Sequence, residues 1–175
     1  MRKRVAPFLK KEPKIHKTAY ALPGTCLTGD VRLEAHANIW YGCVLRGDLN
    51  YVKVGRYSNV QDNSVLHVED DTPCVIGNYV TVGHAAIIHA CYVGDGSLIG
   101  MGALLLNRCH IGKESQIAAG AVVKEGMKVP PRSLVVGVPG RIIRKLTSAE
   151  VKKNRKSAYK YVKLAQEHRD YLMGG

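Results

Sequence analysis

Residues 76–105 read IGNYVTVGHAAIIHACYVGDGSLIGMGALL, and the spacing within them decides the fold. Ile76, Val82 and Ile88 stand six residues apart, and after a five-residue step the same interval returns at Val93, Ile99 and Leu105. The pattern runs outward in both directions, through Leu33, Ile39, Leu45, Val54, Val60 and Leu66 before the stretch and Ile111, Ile117 and Val123 after it. Four positions beyond most of these aliphatics stands a small or β-branched residue: Ala37, Cys43, Ser58, Ser64, Val80, Ala86, Ser97, Ala103, Cys109, Ser115 and Ala121. A period of six fits neither the 3.6-residue turn of a helix nor the alternation of a plain strand. Two coupled registers at that period mark a structural repeat.

Six residues suffice for a short strand and a corner. Three such sides close a triangular coil, the aliphatic filling the interior and the small residue letting the corner turn without a clash. Successive coils then stack at about 4.8 Å and bury one continuous column. Gly55, Gly77, Gly83, Gly94, Gly100 and Gly112, each directly after an aliphatic, are expected to relieve the backbone. The fold class is therefore all-β, a parallel β-helix of hexapeptide repeats. Leu45 to Val54 spans nine residues and Leu66 to Ile76 ten, so insertions are expected to leave the coil after Leu45 and after Leu66.

Past Pro130, Pro131, Gly137, Pro139 and Gly140 the repeat ends. Thr147 and Glu150 form a T-x-x-E capping box before a stripe of Val151, Ala158, Val162 and Ala165, which predicts a C-terminal α-helix over about 148–171. The organisation read from this is an N-terminal extension over 1–26, the β-helix over 27–140, and a linker and helix over 141–175. Lys152, Lys153, Lys156, Lys160 and Lys163 on that helix read as a solvated face.

The net charge of +12 raises the question of nucleic acid, and its distribution answers it. Residues 1–17 carry seven Lys or Arg against one acid, residues 141–175 carry ten against three, and the repetitive body holds nine against ten. The charge sits at the ends, without aromatics interleaved to stack on bases, so nucleic-acid binding is not expected. No run is long enough to cross a membrane, and the basic start lacks a signal-peptide apolar region, so the expectation is a cytoplasmic protein without a membrane partner. Five cysteines without CxxC spacing, Cys26, Cys43, Cys74, Cys91 and Cys109, read as reduced thiols.

Of the seven histidines, His16, His36, His110 and His168 read as ordinary surface or satisfied residues. His67 and His89 differ, because each directly follows the third aliphatic of its coil, so they stack in one column. At one strand spacing, two imidazoles can reach one ion at about 2.0–2.1 Å. Arg46 lies in the same column one coil earlier. His84, two after Val82, belongs to another side. A corner separates it from His89 along an extended reach of at most about 16 Å, so the registers favour its meeting the His67–His89 column of another copy. Three neutral imidazoles with an open position describe a catalytic metal site, which lowers the pKa of a bound water to about 7. Zinc, cobalt and iron all suit such ligands.

Around these residues the chain resembles the γ-class carbonic anhydrase family of hexapeptide-repeat proteins. The matching stretches are G-D-V at Gly29 to Val31, L-R-G-D at Leu45 to Asp48, N-V-Q-D at Asn59 to Asp62, V-L-H ending at His67, V-G-H-x4-H from Val82 to His89, I-G-M-G at Ile99 to Gly102, and Y-V at Tyr161, within about residues 15–165. The resemblance implies a left-handed coil, where general crossover rules favour the right hand. It implies a homotrimer in which His67 and His89 bind the metal, zinc with iron or cobalt as alternatives, from one subunit and His84 from the next. By the same resemblance Gln61 would hold the hydroxide and shape the CO2 pocket, Arg46 and Asp48 would pair across the subunit boundary, and Asp62 and Tyr161 would lie near the site. Read without it, Arg46, Gly47 and Asp48 are a turn or an adhesion-type tripeptide, and Gln61 and Asp62 are surface polars.

Two departures matter. Leu49 stands where active members resembling this chain carry an acid, and the loop after His67 is only Val68, Glu69, Asp70, Asp71 and Thr72, short of the long acidic loop associated with proton removal. The expected function is reversible hydration of CO2 to bicarbonate, with activity reduced on that account. The alternatives are a metal-binding trimeric scaffold of the same family and a coenzyme A-dependent hexapeptide acyltransferase, whose lone general-base histidine would leave the three-histidine set and Gln61 unexplained.

Overall fold

The computed structural model describes residues 6–174. Nearly all strands run parallel from one coil to the next, and the chain winds as a left-handed β-helix closed by one C-terminal helix. Hydrogen bonding divides the strands into an 11-stranded and an 8-stranded sheet. The larger comprises two sides of the triangular coil because the strand Val44–Val54 runs continuously round one corner and pairs on both.

Every aliphatic of the six-residue register faces inward. Leu33 is 3% exposed, and the others, from Ile39 to Val123, are 0%. Removing such side chains from water contributes about 1.5–3 kcal/mol each. The small residues do what the period predicts at the corners, and the serines among them add hydrogen bonds. Ser58 Oγ donates to Gly77 O at 2.7 Å and accepts from Val80 N at 2.9 Å, and Ser64, Ser97 and Ser115 likewise donate to carbonyls of the following coil. Buried polar groups are thus satisfied between coils.

The glycines work differently from the expectation. The left-handed backbone falls three residues after most of the aliphatics, at glycines such as Gly96 (φ 70°) but also at Tyr57 (φ 58°), Glu114 (φ 57°) and Arg132 (φ 58°). Glycine directly after the aliphatic instead permits close stacking. A Cβ on Gly83 would lie 2.8 Å from Met101 N, and one on Gly94 would lie 2.7 Å from Lys113 N. Where the column after the third aliphatic carries Arg46, His67 and His89, the corner is irregular and has room for side chains.

Three boundaries also differ. The residues after Leu45 do not leave the coil: Val44–Val54 pairs along Cys26–Leu33, and the extra length is absorbed as a register shift between Gly29 and Val31. After Leu66 a loop does leave, between the strands Val65–His67 and Cys74–Ile76. Coil pairing begins before residue 27, because Lys14–Ile15 pairs with Arg32–Leu33 and Tyr20–Ala21 with Asn38–Ile39; residues 1–5 of the N-terminal extension lie outside the described residues. At the other end, Arg141–Lys145, read as linker, is a strand antiparallel to Ser133–Val136.

The helix Ser148–Leu172 opens on the predicted capping box, Glu150 N donating to Thr147 Oγ1 at 3.3 Å and Thr147 N to Glu150 Oε2 at 2.8 Å. Ala158 and Ala165 are buried against the smaller sheet, with Tyr161 edge-on to Trp40 at 5.4 Å between ring centroids. This docking holds Tyr161 over the side that carries Gln61 and His84. Among the described residues no helix is long and apolar enough to cross a membrane.

Candidate metal centre

The expected site residues gather in two groups on different corners. The first contains Arg46, Asp48, His67 and His89. His67 and His89 are direct partners in the pairing of Val65–His67 with Ile87–His89, so adjacent coils bring their rings together. His67 Nδ1 lies 2.9 Å from His89 Nε2. Two nitrogens on one tetrahedral ion at about 2.0–2.1 Å each stand about 3.3–3.4 Å apart, a small opening from the separation seen.

The outer nitrogen of each ring is already committed. His67 Nε2 sits 3.1 Å from Asp48 Oδ1, and Asp48 Oδ2 accepts from Arg46 Nη1 at 2.6 Å. Burial pushes the Asp48 carboxyl up, but hydrogen bonds from Arg46 and His67 outweigh it and hold the group below its usual range, so it is a carboxylate. It accepts only, and His67 must donate Nε2–H to it, leaving the Nδ1 lone pair free. Burial, opposed by Asp48, lowers the His67 pKa, which keeps the ring neutral as a ligand must be. His89 Nδ1 lies 2.7 Å from Asn107 Oδ1, leaving the Nε2 lone pair free. Two lone pairs face each other across 2.9 Å, an arrangement that needs a cation or a proton between them.

The second group contains Gln61, Asp62, His84 and Tyr161. His84 Nδ1 lies 2.8 Å from Asp62 Oδ2, so this ring too is oriented by a carboxylate and keeps its Nε2 lone pair, on a side chain 45% exposed. Gln61 is buried, and its Nε2 donates to Asn59 Oδ1 at 3.1 Å while Asn59 Nδ2 donates to Thr81 Oγ1 at 3.0 Å. Asn59 Nδ2 also donates to Val80 O at 3.5 Å, a carbonyl that only accepts, and this sets the polarity of the chain and leaves Gln61 Oε1 as a free acceptor. Gln61, His84, Tyr161, Thr81, Gln116 and Met101 line a groove of about 400 Å³. Burial, with the nearby charge of Asp62, raises the Tyr161 pKa and keeps the phenol protonated.

Among the described residues of one chain, no three of His, Cys, Asp and Glu converge to hold a metal ion. The Arg46–Asp48 pair, expected from the resemblance to bridge subunits, closes within one chain. Between the two groups lies an outward-facing apolar ladder, Val44, Val65, Ile87, Leu104 and Val122, in register across adjacent coils. Val65 is 36% and Ile87 42% exposed. The five cysteines are free, and burial pushes the Cys43 thiol to about 11 and the Cys74 thiol to about 12, so neither offers a thiolate.

Sequence reading passed over Asn107, and it quoted Asn59 only within a motif and Glu69 only within the loop after His67, without the contacts that give them their roles. Asn107 is second after Leu105, at the corner of the coil that follows His89, and a search of that corner for polar residues would have found it.

Comparison with known proteins gives the same direction. Residues 90–125 match the family model described as bacterial transferase hexapeptide (six repeats). The chain is 44% identical to a "Probable carbonic anhydrase" of Methanocaldococcus jannaschii, over 90% of this chain and 99% of the relative. It is 43% identical to "Gamma carbonic anhydrase 1, mitochondrial" of Arabidopsis thaliana over 90% of this chain, and it spans 60% of that relative's length. Among solved structures, a hexapeptide transferase family protein from Anaplasma phagocytophilum superposes with a TM-score of 0.85 at 37% identity, covering 89% of this chain and 92% of that one.

Proposed function

Because the chain belongs to the γ-class carbonic anhydrase family of hexapeptide-repeat proteins, we propose that it catalyses the reversible hydration of CO2 to bicarbonate at metal centres completed between the subunits of a homotrimer. The observation that carries the reading is the state of the three histidines. Each has one nitrogen tied to an oxygen acceptor and a lone pair on the other, as metal-ligating imidazoles do, and those of His67 and His89 face each other at 2.9 Å.

In this reading His67 Nδ1 and His89 Nε2 hold the ion from one copy and His84 Nε2 from the next. The two half-sites flank the apolar ladder, so covering that ladder with a neighbouring copy brings the Gln61–His84 edge of one subunit to the His67–His89 edge of another. Such a contact is heterologous, the kind that gives a ring where its rotation closes. The ring size of three comes from the family resemblance. Three such imidazoles would hold a divalent ion, zinc in the first instance with iron or cobalt as alternatives, and when bound it would supply a water acidified to a pKa of about 7 as the nucleophile at neutral pH. Gln61 Oε1 would accept a hydrogen bond from the O–H of that nucleophile and so orient its lone pair toward CO2. The apolar ladder and the Tyr161 ring exclude bulk water, and Arg46 offers a cation to departing bicarbonate. Reduced cysteines suit a cytoplasmic setting.

A non-catalytic trimeric scaffold is the second reading, favoured by Leu49, which cannot carry a proton away. One experiment separates the two. The purified protein, reconstituted anaerobically with Zn(II), Co(II) or Fe(II), should hold about one ion per subunit and exchange isotope between CO2 and bicarbonate. Its steady-state hydration should rise with added imidazole buffer. Full metal content with no exchange leaves the scaffold; exchange without metal rejects the mechanism.

A further inference from the structure

A neutral imidazole carries its proton on one nitrogen or the other, and His89 can use Nε2 as a ligand only if the proton sits on Nδ1. The partner of Nδ1 decides this. For His67 and His84 the nitrogen that must carry the proton, Nε2 and Nδ1 respectively, faces a carboxylate, which accepts whichever oxygen it presents. For His89 it is the amide of Asn107, whose two ends are nearly alike in shape and opposite in function. Turned over, Asn107 would offer Nδ2–H to His89 Nδ1, drive the proton to Nε2 and abolish the ligand.

Glu69 removes that ambiguity. Asn107 Nδ2 donates to Glu69 Oε1 at 3.0 Å, and a carboxylate can face only the donor end of the amide. Glu69 Oε1 is 4.0 Å from His89 Nδ1, too far for a direct hydrogen bond, so its influence passes through Asn107. The loop bearing Glu69 is pinned on both sides: Glu69 N donates to Thr72 O at 3.0 Å, and Arg108, the residue after Asn107, binds Asp71 at 3.0 Å. Loop and corner are therefore held in register.

We propose that Asn107 is a positioning residue which holds His89 in its Nδ1–H tautomer, and that Glu69 sets the polarity of the Asn107 amide. The inference deepens the metal-centre reading and rests on His89 being a ligand. It also gives the shortened loop after His67 a task apart from proton transfer.

The test reads the tautomer and the affinity separately. Long-range ¹H–¹⁵N spectra of the metal-free protein should find His89 Nδ1 fully protonated in the wild type and partly bare in Asn107→Leu, where the proton of the neutral ring moves to Nε2 and bridges to His67 Nδ1. Co(II) affinity of Asn107→Leu should fall about 10–100-fold. Glu69→Ala should also mix the tautomers and weaken binding. Asn107→Asp should keep the Nδ1–H tautomer, because a carboxylate only accepts, and in that background Glu69→Ala should no longer weaken binding. Wild-type tautomer and affinity in Asn107→Leu overturn the proposal. So does an equal loss from Glu69→Ala in both backgrounds, which would mark a merely structural loop. A wild type that binds no Co(II) yet has the expected tautomers rejects the metal reading and supports the positioning role.

Discussion

Replacing Asp30 by Asn should flatten the acid sensitivity of the fold. Asp30 lies at the register shift between Cys26–Leu33 and Val44–Val54, the irregularity that also carries Asp48. Its side chain is 5% exposed and is gripped by Arg32 at 2.8 and 2.9 Å and by Lys11 at 2.8 Å. The Arg32 hydrogen bonds lead in holding the carboxyl far below its ordinary 3.8, against an opposing push from burial. A carboxyl whose pKa is depressed in the folded state contributes stability that is full above the unfolded pKa and is lost as pH falls toward the folded one. The loss should reach about 1 kcal/mol by pH 3 and about 2 kcal/mol by pH 2. Arg32 and Lys11 are 40% and 49% exposed, so screening holds the total to that scale rather than above it. Urea unfolding at fixed protein concentration checks this. The wild type should be more stable than Asp30→Asn at pH 7 by about 1 M in midpoint, and the gap should close toward zero as pH falls to 2. A gap that stays constant with pH refutes the linkage, since every other group titrates alike in both proteins.

Two further outcomes follow from the interface and from the departures in sequence. Ile87→Glu places a charge in the middle of the apolar ladder and should give a folded monomer that retains its circular dichroism but neither sediments as a trimer nor retains metal. Leu49→Glu, at a half-buried position packed on the core, should raise steady-state hydration in weak buffer by about 10-fold while leaving isotope exchange unchanged. An equal rise in both would mean that Leu49 limits the chemistry instead.

The coil was legible because its interior accepts one aliphatic per side, and Ile76, Val82 and Ile88 have no freedom to drift from that spacing. The corners were less so. Gly96, Gly102 and Gly120 hold left-handed corners, but Tyr57, Glu114 and Arg132 adopt the same backbone with side chains facing outward, so composition marks only some corners, while Gly83 and Gly94 serve close approach. The insertion after Leu45 looked like a loop because residues 26–33 precede most of the aliphatic register, yet they supply the strand that pairs with it. Arg141–Lys145 escaped notice because all five residues are exposed and leave no alternation. At the site, His67 and His89 had addresses in the repeat, whereas Asn107 and Glu69 act through amide and carboxylate polarity, which spacing does not encode.

The central claim is that each metal centre takes ligands from two chains. Mixing His84→Ala with His67→Ala protein in equal amounts, by co-refolding or subunit exchange, tests it most directly. A site is intact only where a subunit retaining His67 and His89 precedes one retaining His84, which random assembly gives at about one interface in four. Each variant alone should therefore hold no tightly bound Co(II), and the mixture should recover about a quarter of the wild-type metal and exchange activity. A mixture as empty as its parents, with mixed trimers demonstrated by differential tagging, contradicts the shared centre.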